Sequence, residues 1–127
     1  MTAVSDVAVY FPSGAQVRAE LADRADTILR GLSGRAEVPD GTGMLFDMGS
    51  VALHRFWMRD TLVGLDMVFL DPEGLVVGIV ADAAPLTSDL RGVLAPSRYV
   101  LEVPAGWCAR SGVAPRQRAV FVSPPSR

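Results

Sequence analysis

Trp57, Arg59, Asp60, Thr61, Asp66 and Glu102 are the side chains whose types suit the holding of a small molecule, and five of the six fall within ten positions. An arginine offers a planar fork of donors to an anionic or polyhydroxyl group, and a neighbouring tryptophan supplies an apolar wall. Asp66 would orient Arg59 or accept ligand hydroxyls, with Glu102 at or behind the same pocket. The two carboxylates also admit a hydrolytic reading, in which Asp66 and Glu102 divide acid and base roles if their surroundings separate their proton affinities. A third reading makes the cluster structural. Asp66 interrupts the apolar run LDMVFL and alternation puts it on one face with Val68 and Leu70, so once buried it must meet donors from Arg59 or from the backbone of RDTL. The domain would then engage a protein partner through an exposed β edge or through its long connector.

Other reactive types stand alone. His54 has no identifiable nucleophile beside it, Ser88 has no evident base, and Cys108, between Trp57-like company in Trp107 and the small Ala109, reads as a small buried hydrophobe. The single cysteine cannot form an intramolecular disulfide, and no Cys/His spacing suits zinc, so neither a metal nor another cofactor is expected. RAEVPDGTG is glycine-bearing but lacks the phosphate-binding patterns GxxxxGK and GxGxxG. Twelve basic against fourteen acidic residues give a formal charge of -2, and no basic stripe interleaves with aromatics. Nucleic acid is therefore not an expected partner. MTAVSDVAVYF has no basic n-region and no adequate apolar core, and charges or turns interrupt every later apolar run, so no membrane association and a cytoplasmic location are expected.

These residues must be positioned by β-structure. LDMVFL, the turn DPEG and LVVGIV form a hairpin signal, with Asp71 placed to accept backbone amides and Gly74 free to take a positive φ. Alternation across FWMRDT would put Phe56, Met58 and Asp60 on one side and Trp57, Arg59 and Thr61 on the other, with a break near Gly64. Upstream, VAVYF and VRAEL read as a hairpin around PSGAQ. A helix follows, with Asp23 as N-cap, Asp26 at N3, a stripe of Ala25, Ile28, Leu29 and Leu32, and Gly34 as the preferred terminator. MLFD is a strand that Asp47, Gly49 and Ser50 end. ADAAPLTSDLRGVLAPS reads as an irregular connector long enough to be functional or mobile. In RYVLEVPAGW, Tyr99, Leu101 and Val103 share one face and Val100 and Glu102 the other. AVFV is a last strand, and residues 123–127 a frayed tail. The sum, in 127 residues, is a single mainly-β domain, a compact sandwich or partly closed barrel with one short helix.

The combination ELADRADTILRGLSGR, GTGMLF, FWMRDTLVGLDMVFLDPEGLVVGIV and YVLEVPAG resembles the DUF192, or UPF0127, family of small bacterial and archaeal proteins, from about Val17 through Phe121. The resemblance implies a jelly-roll-like β domain with a short helix and brings no defined activity. Matched to the family's FWMKNTLIPLDIIF-like segment, Arg59 stands where lysine is common, Asp60 where asparagine is common and Gly64 where proline is usual, while Thr61 and Asp66 agree. Glu102 matches the glutamate of the YVLE-like segment, and Gly106 the following glycine. Ser33 departs from a usual methionine. Leu86, after Pro85, departs from a cysteine that members often carry, which argues against a metal or thiol role there. Asparagine to Asp60 removes an amide donor. Many relatives resemble exported or lipid-anchored proteins, a signal that is not recognised in this N-terminus.

Overall fold

The computed structural model describes residues 5–123; the first four residues and most of the expected tail lie outside them. Seven strands are described: β1 (Asp6–Tyr10), β2 (Gln16–Ala22), β3 (Thr42–Ala52), β4 (Leu65–Leu70), β5 (Val76–Ala83), β6 (Ser97–Pro104) and β7 (Val120–Val122). Two short helices accompany them, α1 (Ala25–Arg30) and α2 (Trp107–Ser111). The strands make one mixed sheet in the order β5-β4-β6-β3-β2-β1-β7, antiparallel except for the parallel β2–β3 pair. The helix between β2 and β3 supplies the crossover that a parallel pair requires.

Although the sheet is not closed, its opposite ends meet at one corner. Leu75 bridges Arg118, and the amides of Val76 and Ala119 donate to the carbonyls of Gln117 and Gly74 at 2.8 Å each. Gly74 is required there: its φ is +86°, and a Cβ would stand 2.4 Å from the Ala119 carbonyl oxygen. The result is the partly closed barrel expected of short alternating strands. Its inner face buries Val9, Val17, Leu45, Val68, Leu70, Leu101 and Val103, with α2 adding Trp107 and Cys108. The outer face carries Met44, Phe46, Met67, Phe69 and Val100, covered by Leu32 after α1 and by Met58 from the loop between β3 and β4.

Local expectations fare unevenly. The DPEG turn forms as read, with Asp71 Oδ1 accepting from the amides of Glu73 and Leu75 at 2.9 Å each. β3 does not stop at Asp47; an irregular register between Asp47 and Ala52 lets it continue to Ala52. α1 starts one residue later than expected, with Arg24 as N-cap and its amide donating to Thr27 Oγ1 at 3.1 Å, so neither Asp23 nor Asp26 performs the cap. Gly31 ends it, because its positive φ of 49° leaves the helical region. Leu29, assigned to the apolar stripe, is 82% exposed, because a helix of six residues covers the sheet only through Ile28 and the following Leu32.

Candidate functional site

The alternation expected along FWMRDT does not occur, since residues 53–64 form an irregular loop whose only ladder contact is the isolated Phe56–Arg91 bridge. Burial of one side chain fixes this loop: Met58 is fully buried among the outer-face residues. Backbone bonds hold both sides. Phe56 and Arg91 exchange amide–carbonyl bonds at 2.8 Å, the Met58 amide donates to Thr87 at 3.0 Å, the Leu86 amide to Thr61 at 3.0 Å, and the Gly34 amide to Asp60 at 2.9 Å. The long connector, residues 84–96, is thus the second rail of the loop. Gly92 lets the rails approach, because a Cβ would come within 2.7 Å of the His54 carbonyl oxygen.

Because alternation is lost, residues on both sides of the buried Met58 come to one space. Phe56, Trp57, Arg59, Asp60 and Thr61 line a cleft of about 270 Å³, opposite Ile28, Leu29 and Leu32, with Phe46, Met48 and Glu102 rising from the sheet. Arg55, Arg30 and Leu90 complete its mouth. The Arg59 guanidinium lies 3.8 Å from the centre of the Trp57 ring, a stacked arrangement that occupies its face and leaves its edge donors free. Phe46 and Phe56 pack edge to face at 5.1 Å.

Glu102 is the unusual group. It is 5% exposed, lies opposite Met44 and Met67 in the middle of the sheet, and makes no side-chain hydrogen bond or ion pair among the described residues. Burial pushes its carboxyl up from an ordinary 4.5 to about 8, so at pH 7 it is mostly a neutral acid, able both to donate and to accept. Gly43 lets β3 and β6 approach here: a Cβ there would sit 2.2 Å from the Glu102 backbone carbonyl oxygen.

Asp66 lies apart from the other five. Its neighbour Met67 is the residue paired with Glu102, so Asp66 projects from the opposite, inner face. Its Oδ1 accepts from the amides of Asp82 at 3.0 Å and Gly106 at 3.1 Å, and its Oδ2 from Cys108 at 3.1 Å. Neither Arg59 nor the RDTL backbone supplies its donors. The carboxylate fastens the start of α2 and the end of β5 to β4, and the sheet separates it from Glu102, so the two cannot work as an acid–base pair. Burial, with Asp66 beside it, pushes the Cys108 thiol up to about 12, which keeps it protonated and unreactive. His54 Nε2 pairs with the Ser50 carbonyl at 2.9 Å, outside the cleft.

Arg55, Phe46, Met48, Phe56 and the residues around α1 were not singled out from sequence as site residues. Arg55 and Arg59 flank FWM at a spacing of four, a signal that acquires meaning only once the segment is known to be a loop.

The DUF192 family model, described as "Uncharacterized ACR", matches residues 8–121. The chain belongs to this family. Two crystal structures are similar to it: a candidate transcription regulator from Sinorhizobium meliloti, 32% identical, with a TM-score of 0.86 and 94% of each chain covered, and a protein of unknown function from Novosphingobium aromaticivorans, also 32% identical, with a TM-score of 0.85, covering 92% of this chain and 84% of that one. No curated protein matches the chain. Among the described residues no helix is long and apolar enough to cross a membrane.

Proposed function

We propose that this domain is a small-ligand-binding module whose site is the cleft between α1 and the loop 53–64, with Trp57, Arg59, Asp60, Thr61 and Glu102 at the ligand and Asp66 holding the frame from the other face. One observation carries the reading: a largely buried carboxyl group, Glu102, lines the cleft with no hydrogen-bond or ion-pair partner among the described residues. Buried polar groups are nearly always paired, and an unpaired one that faces a cleft is suited to a partner from outside the chain. The backbone rails around Met58 support it further, since they hold the loop before any ligand arrives and so reduce the ordering cost of binding.

The test uses the two indoles. Trp57 borders the cleft and is 45% exposed, whereas Trp107 is buried in the inner core. In ¹H–¹⁵N spectra, a panel of small acids, alcohols and amines should contain compounds that shift the Trp57 indole signal and the Glu102 amide while leaving Trp107 in place. A panel that moves neither signal at millimolar concentrations contradicts the reading.

A protein-interaction role draws on a separate observation. Leu86, Leu90 and Leu94 on the connector are 62%, 60% and 99% exposed, and Leu86 holds a positive φ of 60°. Sedimentation across a concentration series compares the wild type with Leu90→Ser/Leu94→Ser. Self-association that the double variant abolishes supports this role, and a monomer throughout removes self-association from it.

A further inference from the structure

Resting on that assignment of the cleft, the chemistry of its two ends narrows the ligand. At the mouth stand Arg55, Arg59 and Asp60, none of them in an ion pair among the described residues. Arg30 lines the mouth as well, and Glu20, the acid its charge reaches, is paired with Arg35. Three arginines against one aspartate leave the mouth net positive, which suits an anionic group. Because Trp57 holds the flat face of the Arg59 guanidinium, its edge is presented as a fork, the geometry that a carboxylate accepts with both oxygens.

At the floor the requirement is different. Glu102 sits among Phe46, Met48 and Phe56, where a second anion would meet an acid already disfavoured as a carboxylate. A neutral acid pairs well with a hydroxyl, which can accept its proton's hydrogen bond and donate in return. The walls between the ends are apolar. With a volume of about 270 Å³ the cleft suits a small molecule.

We propose that the cleft takes a small monocarboxylate with a compact apolar body and a hydroxyl at its far end, the carboxylate on Arg59 and Arg55 and the hydroxyl on Glu102. A planar body suits the edge-to-face Phe46–Phe56 wall.

The probe is 4-hydroxybenzoate, measured by calorimetry and by the Trp57 indole signal, against benzoate, which lacks the hydroxyl, and 4-hydroxybenzamide, which lacks the charge. The wild type should bind 4-hydroxybenzoate about tenfold more tightly than either analogue, the size expected for losing one charge-assisted or buried hydrogen bond. Arg59→Ala, at an exposed position, should bring acid and amide to within about twofold of each other. Glu102→Gln keeps a donor and an acceptor and has no proton to lose, so its affinity should stay level between pH 6 and pH 8.5, below the ionisation of the phenol, while that of the wild type weakens as Glu102 gains charge. Equal affinity for acid and amide, or an Arg59→Ala variant with unchanged preference, overturns the carboxylate assignment. Failure of 4-hydroxybenzoate to bind while neutral or cationic panel members shift Trp57 overturns the ligand class and leaves the cleft as a site. Failure of every compound overturns both.

Discussion

The inner and outer faces of the sheet each bury one carboxyl group, and they treat it in opposite ways. Asp66, 1% exposed, has three backbone amides aimed at its two oxygens. Glu102, 5% exposed, has none among the described residues and lines the cleft. Burial is almost equal, so burial does not decide the role; the supply of donors does. The inner-face group closes a network that ties β4, β5 and α2 together. The outer-face group is left with hydrogen-bonding capacity that only something outside the chain can use.

The sharpest way to break this contrast is Asp66→Ala. It strands three amides in the interior, and a loss on the order of 3–5 kcal/mol of unfolding free energy is expected, read as a lower urea midpoint with an unchanged slope. A midpoint within error of the wild type would show that the network holds nothing. Met58→Ala comes next, at roughly 3 kcal/mol for a fully buried methionine, and it should also broaden the Trp57 signal because it removes the loop's anchor.

Glu102→Gln should act in the other direction, increasingly as pH rises from about 4.5 to about 8. Below about pH 4.5 the folded and unfolded forms both hold the proton. Between there and about 8 the folded form retains it while the unfolded form releases it, so wild-type stability falls as pH rises through this window. The variant has nothing to titrate. Its melting temperature should therefore gain on the wild type between pH 5 and pH 9, and parallel pH profiles would refute an uncompensated Glu102. The smallest effect belongs to Arg59→Ala, which should change stability by less than about 0.5 kcal/mol at its exposed position.

The sequence made the strands, the DPEG turn and the opposite facing of Tyr99/Leu101/Val103 and Val100/Glu102 readable, because period-two alternation and turn chemistry are local. It also identified Asp66 as a carboxylate needing donors. What remained hidden was non-local. The donors to Asp66 come from residues 82, 106 and 108, and no spacing rule joins those positions. The separation of Asp66 from Glu102 depends on the β4–β6 register, which pairs residue 66 with 103 and 67 with 102. Alternation misled at FWMRDT because the segment bonds mainly to a loop, and a loop can turn Trp57, Arg59 and Thr61 to the same side as Phe56 and Asp60. Arg55 stayed outside the expected site for the same reason.

The most direct measurement of the contrast is a carboxyl ¹³C titration of the glutamate side chains, with Glu102 assigned by its loss in Glu102→Gln. The account predicts a midpoint close to 8 for Glu102, moved further upward when 4-hydroxybenzoate is bound, because the hydroxyl then engages the neutral acid. A midpoint near 4.5, the ordinary value for a glutamate, would mean that the carboxylate is already compensated within the chain, and the outer-face group would then be no more a ligand contact than Asp66.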